Sequence, residues 1–118
     1  DARLKDQVVE YTHALDRINA LRPVNYHYID GGKAAFQPAG EQVGFIAQEL
    51  AEVFPDWVLK GDDGYLQLSM RGFEAVAVRA IQELSAENQA LKAELQSSNA
   101  MLLSRIEALE SELGRRRP

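Results

Sequence analysis

Between residues 73 and 113 the chain carries neither Gly nor Pro, and its apolar positions recur at the spacing of a helical seam. Ala77, Ile81, Leu84, Asn88, Leu91 and Leu95 are separated by alternating steps of four and three residues, the heptad repeat of a coiled coil. Leu102, Ile106, Leu109 and Leu113 repeat those steps. The two runs do not share one phase, because continuing the first would bring Ser98, Leu102 and Arg105 inside. One extra four-residue step at residues 96–100, with Asn99 or Ser98 at the junction, reconciles them. Leu84, Leu95 and Ile106 then lie eleven residues apart, as do Leu91, Leu102 and Leu113. Such a stutter locally unwinds a left-handed supercoil. The pattern predicts a parallel coiled coil with one stutter. The alternative is one long amphipathic helix lying on its own domain. A helix of about 40 residues is ~60 Å long, more than the remainder of a 118-residue chain can cover. Asn88 sits on the seam, where a polar residue lowers stability while fixing register and strand number. Leucine at both kinds of seam position does not separate dimer from trimer. Gly72 precedes this helix and Gly114 closes it, as Gly commonly does just past a helix end.

The first 72 residues read as a small mixed domain, so the fold class is α+β followed by a long C-terminal helix, with a basic tail at 115–118. Leu4, Val8, Tyr11, Leu15 and Ile18 step by four and three and predict an amphipathic helix over 4–21, ended by Pro23. Val24, Tyr26 and Tyr28 alternate with Asn25 and His27, the period of a half-buried strand. Asp30, Gly31 and Gly32 predict a turn, and 31–42 a surface loop. Phe45, Ile46, Leu50, Val53 and Phe54 predict a short helix over 43–54, stopped by Pro55. Trp57–Leu59 and Tyr65–Leu68 flank Gly61-Asp62-Asp63-Gly64, a β-hairpin signal. Ser69 is a candidate N-cap for the long helix.

Composition narrows the chemistry. Apolar residues make up 46% and charged residues 26%, which excludes a disordered composition. With no Cys, disulfides, thiolate metal sites and a Cys nucleophile are excluded. Two His make a His-rich metal site an unpromising reading, and neither metal nor cofactor is expected. No apolar run reaches the ~18 residues of a membrane helix, and a net charge of −5 disfavours general binding to nucleic acid or anionic membrane. The charged opening is no signal peptide. A start at Asp1 rather than Met suggests a fragment, an engineered chain or a processed product.

Candidate sites are few. Asp62 and Asp63 lack the alternating acidic ligands and closing Glu of a calcium loop and read as a hairpin turn. His13 and His27 read as surface or partly buried structural residues. Arg115, Arg116 and Arg117 suit a helix C-terminus. No P-loop, dinucleotide fingerprint or G-x-S-x-G is present. Alone, Lys5 reads as a solvated lysine.

In order along the chain stand D-x-R-L-K at 1–5, R-P-V-x-Y-x-Y at 22–28, G-F-I-A-Q-E-L at 44–50, V-F-P-D-W-V at 53–58 and A-V-x-V-R-A-I-Q-E-L at 75–84. This order resembles the intramolecular chaperone domain of phage endosialidases, tail spikes and tail fibres, also classed as peptidase family S74. The resemblance spans essentially the whole chain, and G-F-I-A-Q-E-L followed by V-F-P is its most specific part. Its motif residues here are Arg3, Leu4, Gly44, Phe45, Gln48 and Glu49.

The resemblance implies a C-terminal chaperone domain that forms a homotrimer and assists folding of the preceding β-rich fibre domain of the same polypeptide. It implies release by self-cleavage with a Ser-Lys dyad, at a Ser-Asp bond. On this sequence the Asp is Asp1, the dyad lysine is Lys5, and the Ser would immediately precede Asp1. The chain then looks like the released, inert product, although an engineered start at the same residue would look the same. A lysine at its reference pKa of about 10.4 accepts no proton at neutral pH, and burial disfavours its charge, so a buried lysine can serve as general base to a serine hydroxyl. Whether Ser or water attacks stays open. The implied setting is the cytoplasm of an infected bacterial host during virion assembly, followed by release from the mature fibre. The alternative from another class is a structural trimerisation module that caps a fibre and never cuts. A membrane-tethered transcription factor carrying the same domain is a third family context. The loop at 31–40 is a better candidate for client contact than Phe36, Phe45, Trp57 or Tyr65, which read mainly as core.

Overall fold

A computed structural model describes residues 1–29 and 37–116. The turn predicted at Asp30–Gly32, most of the loop that follows, Phe36 and Arg117 lie outside the described residues. The chain divides into two units, Asp1–Ala80 and Ile81–Pro118. The first is a mixture of short antiparallel strand pairs and short helices; the second belongs to the long helix.

Strand β1 (Val24–Tyr26) pairs antiparallel with β2 (Gln42–Gly44), Asn25 opposite Val43. The alternation read from the sequence is present: Val24 and Tyr26 are half-buried and Asn25 is exposed. The strand stops at Tyr26, yet Tyr28 keeps the same side, with its ring edge-on to Tyr26 at 5.1 Å and the two hydroxyls 3.1 Å apart. Helix α2 (Ala47–Val53) follows β2 directly. The helix predicted over 43–54 therefore starts later than its apolar spacing suggests, because pairing with β1 takes residues 42–44 into a strand.

Pro55 opens a 3₁₀ turn (Pro55–Trp57), which leads into β3 (Val58–Lys60). That strand pairs antiparallel with β4 (Leu66–Leu68), as the hairpin signal predicts. The turn closes through Gly61 N–H to the Tyr65 carbonyl at 2.8 Å and Gly64 N–H to the Gly61 carbonyl at 3.0 Å. Asp63 takes the Tyr65 N–H on its side-chain oxygen at 3.0 Å, a local Asx bond suited to a turn.

Helix α3 spans Phe73–Arg115. Ser69 does not cap it: its N–H extends the hairpin by donating to the Trp57 carbonyl at 2.7 Å. Gly72, at φ +82°, turns the chain into the helix instead. Gly114 does not end it either, since the helix continues through Arg115.

The core of the first unit gathers Ala14, Leu50, Phe54, Trp57, Val76 and Ala80. Leu15, Ile18, Leu21, Phe45, Val53, Val58 and Met70 pack around them. Phe54 and Trp57 stack at 3.9 Å, and Phe73 meets the Trp57 ring edge-on at 6.1 Å. The indole N–H donates to the Arg71 carbonyl at 2.9 Å, so the one polar atom of this buried ring is satisfied.

The largest departure from the sequence reading lies in the first 21 residues. Only α1 (Ala14–Asn19) and a 3₁₀ turn at Ala2–Leu4 are helical there. Gln7 and His13 adopt left-handed backbone angles, φ 51° and 61°, which no continuous right-handed helix accommodates. Leu15 and Ile18 reach the core, whereas Leu4 and Val8 are 87% and 78% exposed. A periodic stripe stabilises a helix chiefly where that stripe is covered, and here only its last turns are. His13 is exposed and immediately precedes α1.

Candidate functional site

The motif residues separate into an N-terminal turn, a joint inside the first unit, and the apolar stripe of α3. At the N-terminus, the Asp1 carboxylate accepts the Arg3 backbone N–H at 2.8 Å. It also accepts the Arg3 guanidinium, Nη2 to Oδ2 at 2.6 Å and Nε to Oδ1 at 3.0 Å. Lys5 closes this 3₁₀ turn with an extended backbone, its N–H donating to the Ala2 carbonyl at 3.2 Å. Arg3, Leu4 and Lys5 are all exposed in the single chain. The D-x-R-L-K run is thus a self-bonded turn that presents its lysine to solvent.

The chain from Lys5 to His13 has no regular secondary structure, and its apolar residues Val8 and Val9 are exposed. Two contacts hold its far end. Glu10 lies 3.8 Å from Arg79 of α3, and the Tyr11 hydroxyl accepts a hydrogen bond from Arg17. Arg17 also donates to the Val53 carbonyl at 2.9 Å and places its guanidinium 4.1 Å from the centre of the Phe54 ring, a cation–π contact. The sequence carries no local sign of Arg17's part, because its partners Val53 and Phe54 stand more than thirty residues away.

The joint is built from two motifs. Arg22 opens R-P-V-x-Y-x-Y and Glu49 lies in G-F-I-A-Q-E-L; the guanidinium grips the carboxylate with Nε to Oε1 at 2.8 Å and Nη2 to Oε2 at 2.6 Å. Hydrogen bonding and charge from Arg22 hold the Glu49 carboxyl below its ordinary pKa and, reciprocally, raise that of Arg22. Gly44 lies under Tyr26: a Cβ there would stand 3.3 Å from the ring's Cε1, so a residue without a side chain lets the ring close over the strand. The Tyr26 hydroxyl is raised in pKa, mainly by its hydrogen bond to Tyr28 and next by desolvation. Phe45 packs on the core, whereas Gln48 is exposed.

Gln48 and Phe45 also line an open groove of about 830 Å³ with Tyr26, Tyr28, Tyr65 and Leu66. Tyr65 is exposed there, so of the aromatics read as core, Trp57 is buried, Phe45 is partly buried and Tyr65 is not.

The third site is the stripe of α3. Val76 and Ala80 are buried and Ala77 is half-buried in the first unit. From Ile81 on, Leu84, Leu91, Leu95, Leu102, Ile106, Leu109 and Leu113 are all exposed, between 45% and 67%, and Asn88 is exposed among them. Monomeric proteins rarely leave so long an apolar row to water. Among the described residues, no helix is long and apolar enough to cross a membrane.

A family model described as chaperone of endosialidase matches residues 1–59, which hold the N-terminal turn, the joint and α2. A comparison with curated proteins returned no match.

Proposed function

The chain belongs to the chaperone of endosialidase family, peptidase family S74, and on that premise we propose that three copies assemble through a parallel coiled coil of α3, help fold a β-rich fibre or tail spike encoded upstream, and are then released by self-cleavage. The observation that carries the assembly step is the bare stripe from Ile81 to Leu113. Burial of apolar surface contributes roughly 25 cal/mol per Å², and identical helices cover one another's stripes. A long β-structured trimer relies on slow, non-local pairing. A coiled coil at its end holds three chains at an effective concentration of roughly mM before that pairing begins. Release afterwards removes the template and makes the assembled client hard to undo.

Cleavage is assigned to a serine directly before Asp1, with Lys5 as general base. A lysine takes a proton near neutral pH only where its charge is disfavoured, and Lys5 is exposed in the single chain. In this reading the trimer covers Lys5, so that cutting waits for assembly. The same exposure favours a second reading, a fibre cap that trimerises and never cuts. The setting is the bacterial cytoplasm during virion assembly.

The test is to express the polypeptide with its preceding residues and weigh the products. A fragment beginning at Asp1, lost in Lys5→Ala and present in Arg71→Lys, supports release by the dyad. An uncut trimer supports the cap. Cutting at the same rate in Lys5→Ala removes Lys5 from the mechanism.

A further inference from the structure

We infer that α3 carries a register lock: two asparagine layers and two inter-helix ion pairs that fit only identical copies running parallel and aligned residue for residue. This rests on the proposed assembly and specifies its geometry. From Ile81 to Arg116 every residue except Glu83 is exposed, so the surface that would meet a partner is open along its length.

The stripe is not uniformly apolar. Asn88 and Asn99 lie eleven residues apart, the interval that separates Leu84 from Leu95 and Leu91 from Leu102. Each therefore falls at an equivalent level of the seam, Asn88 ahead of the stutter and Asn99 at its junction. In parallel, level copies each asparagine amide meets asparagine amides, which both donate and accept. A slip of seven residues sets Asn88 against Leu95 and Asn99 against Ile106. That buries amides without partners, at a real cost. An antiparallel pair that brings Asn88 opposite Asn99 sets Leu95 opposite Lys92 and Leu102 opposite Ser85. Both alternatives interrupt the apolar layers.

A slip of eleven residues keeps one asparagine layer, since Asn88 of one copy then faces Asn99 of the next while Leu84 and Leu91 face Leu95 and Leu102. The flanking charges remove it. In a parallel coil, the residue just before one seam position faces the residue five further along the neighbouring helix, and such pairs set partner and orientation. In level copies Glu87 faces Lys92 and Arg105 faces Glu110, opposite signs on both sides of the stutter. After a slip of eleven, Glu87 faces Ile81 or Leu103, and Arg105 faces Asn99; both pairs are gone. This charge complementarity identifies the occupant of the stripe as a second and third copy of this chain. The consequence concerns the client. A slip of eleven displaces one chain by ~16 Å along the helix axis, and a register error of even one residue in a strand turns its side chains to the wrong face. A level bundle hands the client three level chains.

Because the chain has no Cys, register can be read by cross-linking. Leu91→Cys and Leu102→Cys chains are mixed, assembled and oxidised, and the links are counted by mass, with assembly followed by sedimentation. A trimer in which 91–91 and 102–102 links exceed 91–102 links by about tenfold is expected, since weak ion pairs add across three interfaces. Adding Glu87→Lys and Arg105→Glu to both chains raises the 91–102 links toward parity. Adding Lys92→Glu and Glu110→Arg as well re-forms both pairs with reversed signs and restores the excess, which separates a lost lock from a damaged helix. A trimer with equal numbers of both links before any charge is changed overturns the lock and leaves the assembly standing. A monomer in sedimentation before any cysteine is introduced overturns both.

Discussion

Arg22 and Glu49, twenty-seven residues apart, join two motifs of the first unit. The guanidinium fork meets the carboxylate with both of its contacts at 2.8 Å or less, tying the chain just before β1 to the first turn of α2. Such a fork fixes direction as well as distance, which a lysine ammonium does not. Arg22→Lys is therefore expected to lower the unfolding midpoint nearly as much as Arg22→Ala, as measured by denaturant titration followed through Trp57 fluorescence.

The same pair carries a pH signature. Arg22 holds the Glu49 carboxyl below its ordinary value of 4.5. A depressed carboxyl pKa contributes stability above the unfolded value, and that contribution is lost as pH falls through the folded value. The stability difference between the natural chain and Glu49→Gln should thus be constant at neutral pH. It should shrink as the pH drops below about 4.5. Urea midpoints measured at neutral and acid pH check this, and a difference that grows on acidification would exclude the pair as its source.

Leu50 is the most deeply buried large side chain of the first unit, 1% exposed. It shares one core with the stacked Phe54 and Trp57. Leu50→Ala is expected to cost about 2–5 kcal/mol, the transfer term plus a cavity, and to be the largest single loss in this unit. Trp57 is the only tryptophan and is itself in the core, so its emission reports this unit alone, whatever α3 does beyond it.

The hairpin and the core aromatic Trp57 were legible because their signals are local: Gly61-Asp62-Asp63-Gly64 sits between two apolar runs, and Pro55 marks the turn before Trp57. The β1–β2 pairing was not, since Val43 and Gly44 look like the first turn of a helix until Asn25 is known to lie opposite. Leu4, Val8 and Tyr11 misled for the converse reason. Their spacing is helical, but a spacing says only which residues share a side, not that anything covers it. Arg17, which binds Tyr11, Val53 and Phe54, has no local signature. In α3, the absence of Gly and Pro until Gly114 made the helix plain, whereas the exposure of Leu91 and Leu102 in the single chain is a fact of packing that spacing alone does not give.

Gly64 adopts φ +85° with open space where a Cβ would stand. Gly64→Ala therefore meets no steric neighbour, and its expected cost, about 1 kcal/mol, comes from the left-handed backbone alone. Gly64→Asn should recover part of that loss, since Asn tolerates this conformation better. Equal stability of the Ala and Gly forms in a denaturant titration would mean that the turn relaxes to another type.

Lys5 stands exposed in one chain, and the stripe of α3 is exposed in the same chain; the proposed mechanism links the two. If assembly is what desolvates Lys5, a seam lesion in the other unit must stop the cutting. Leu95→Asp places a charge in an apolar layer, where burying it is costly. In a precursor that carries the residue before Asp1, this change is expected to slow the appearance of the Asp1 fragment by at least about tenfold, although the N-terminal turn is untouched. The lost rate should return as protein concentration is raised, because mass action repopulates the assembled form. Cutting by the natural precursor, already assembled, should not depend on concentration. A Leu95→Asp precursor that sediments as a monomer and still cuts at the natural rate would show that one chain suffices and that Lys5 acts without its neighbours.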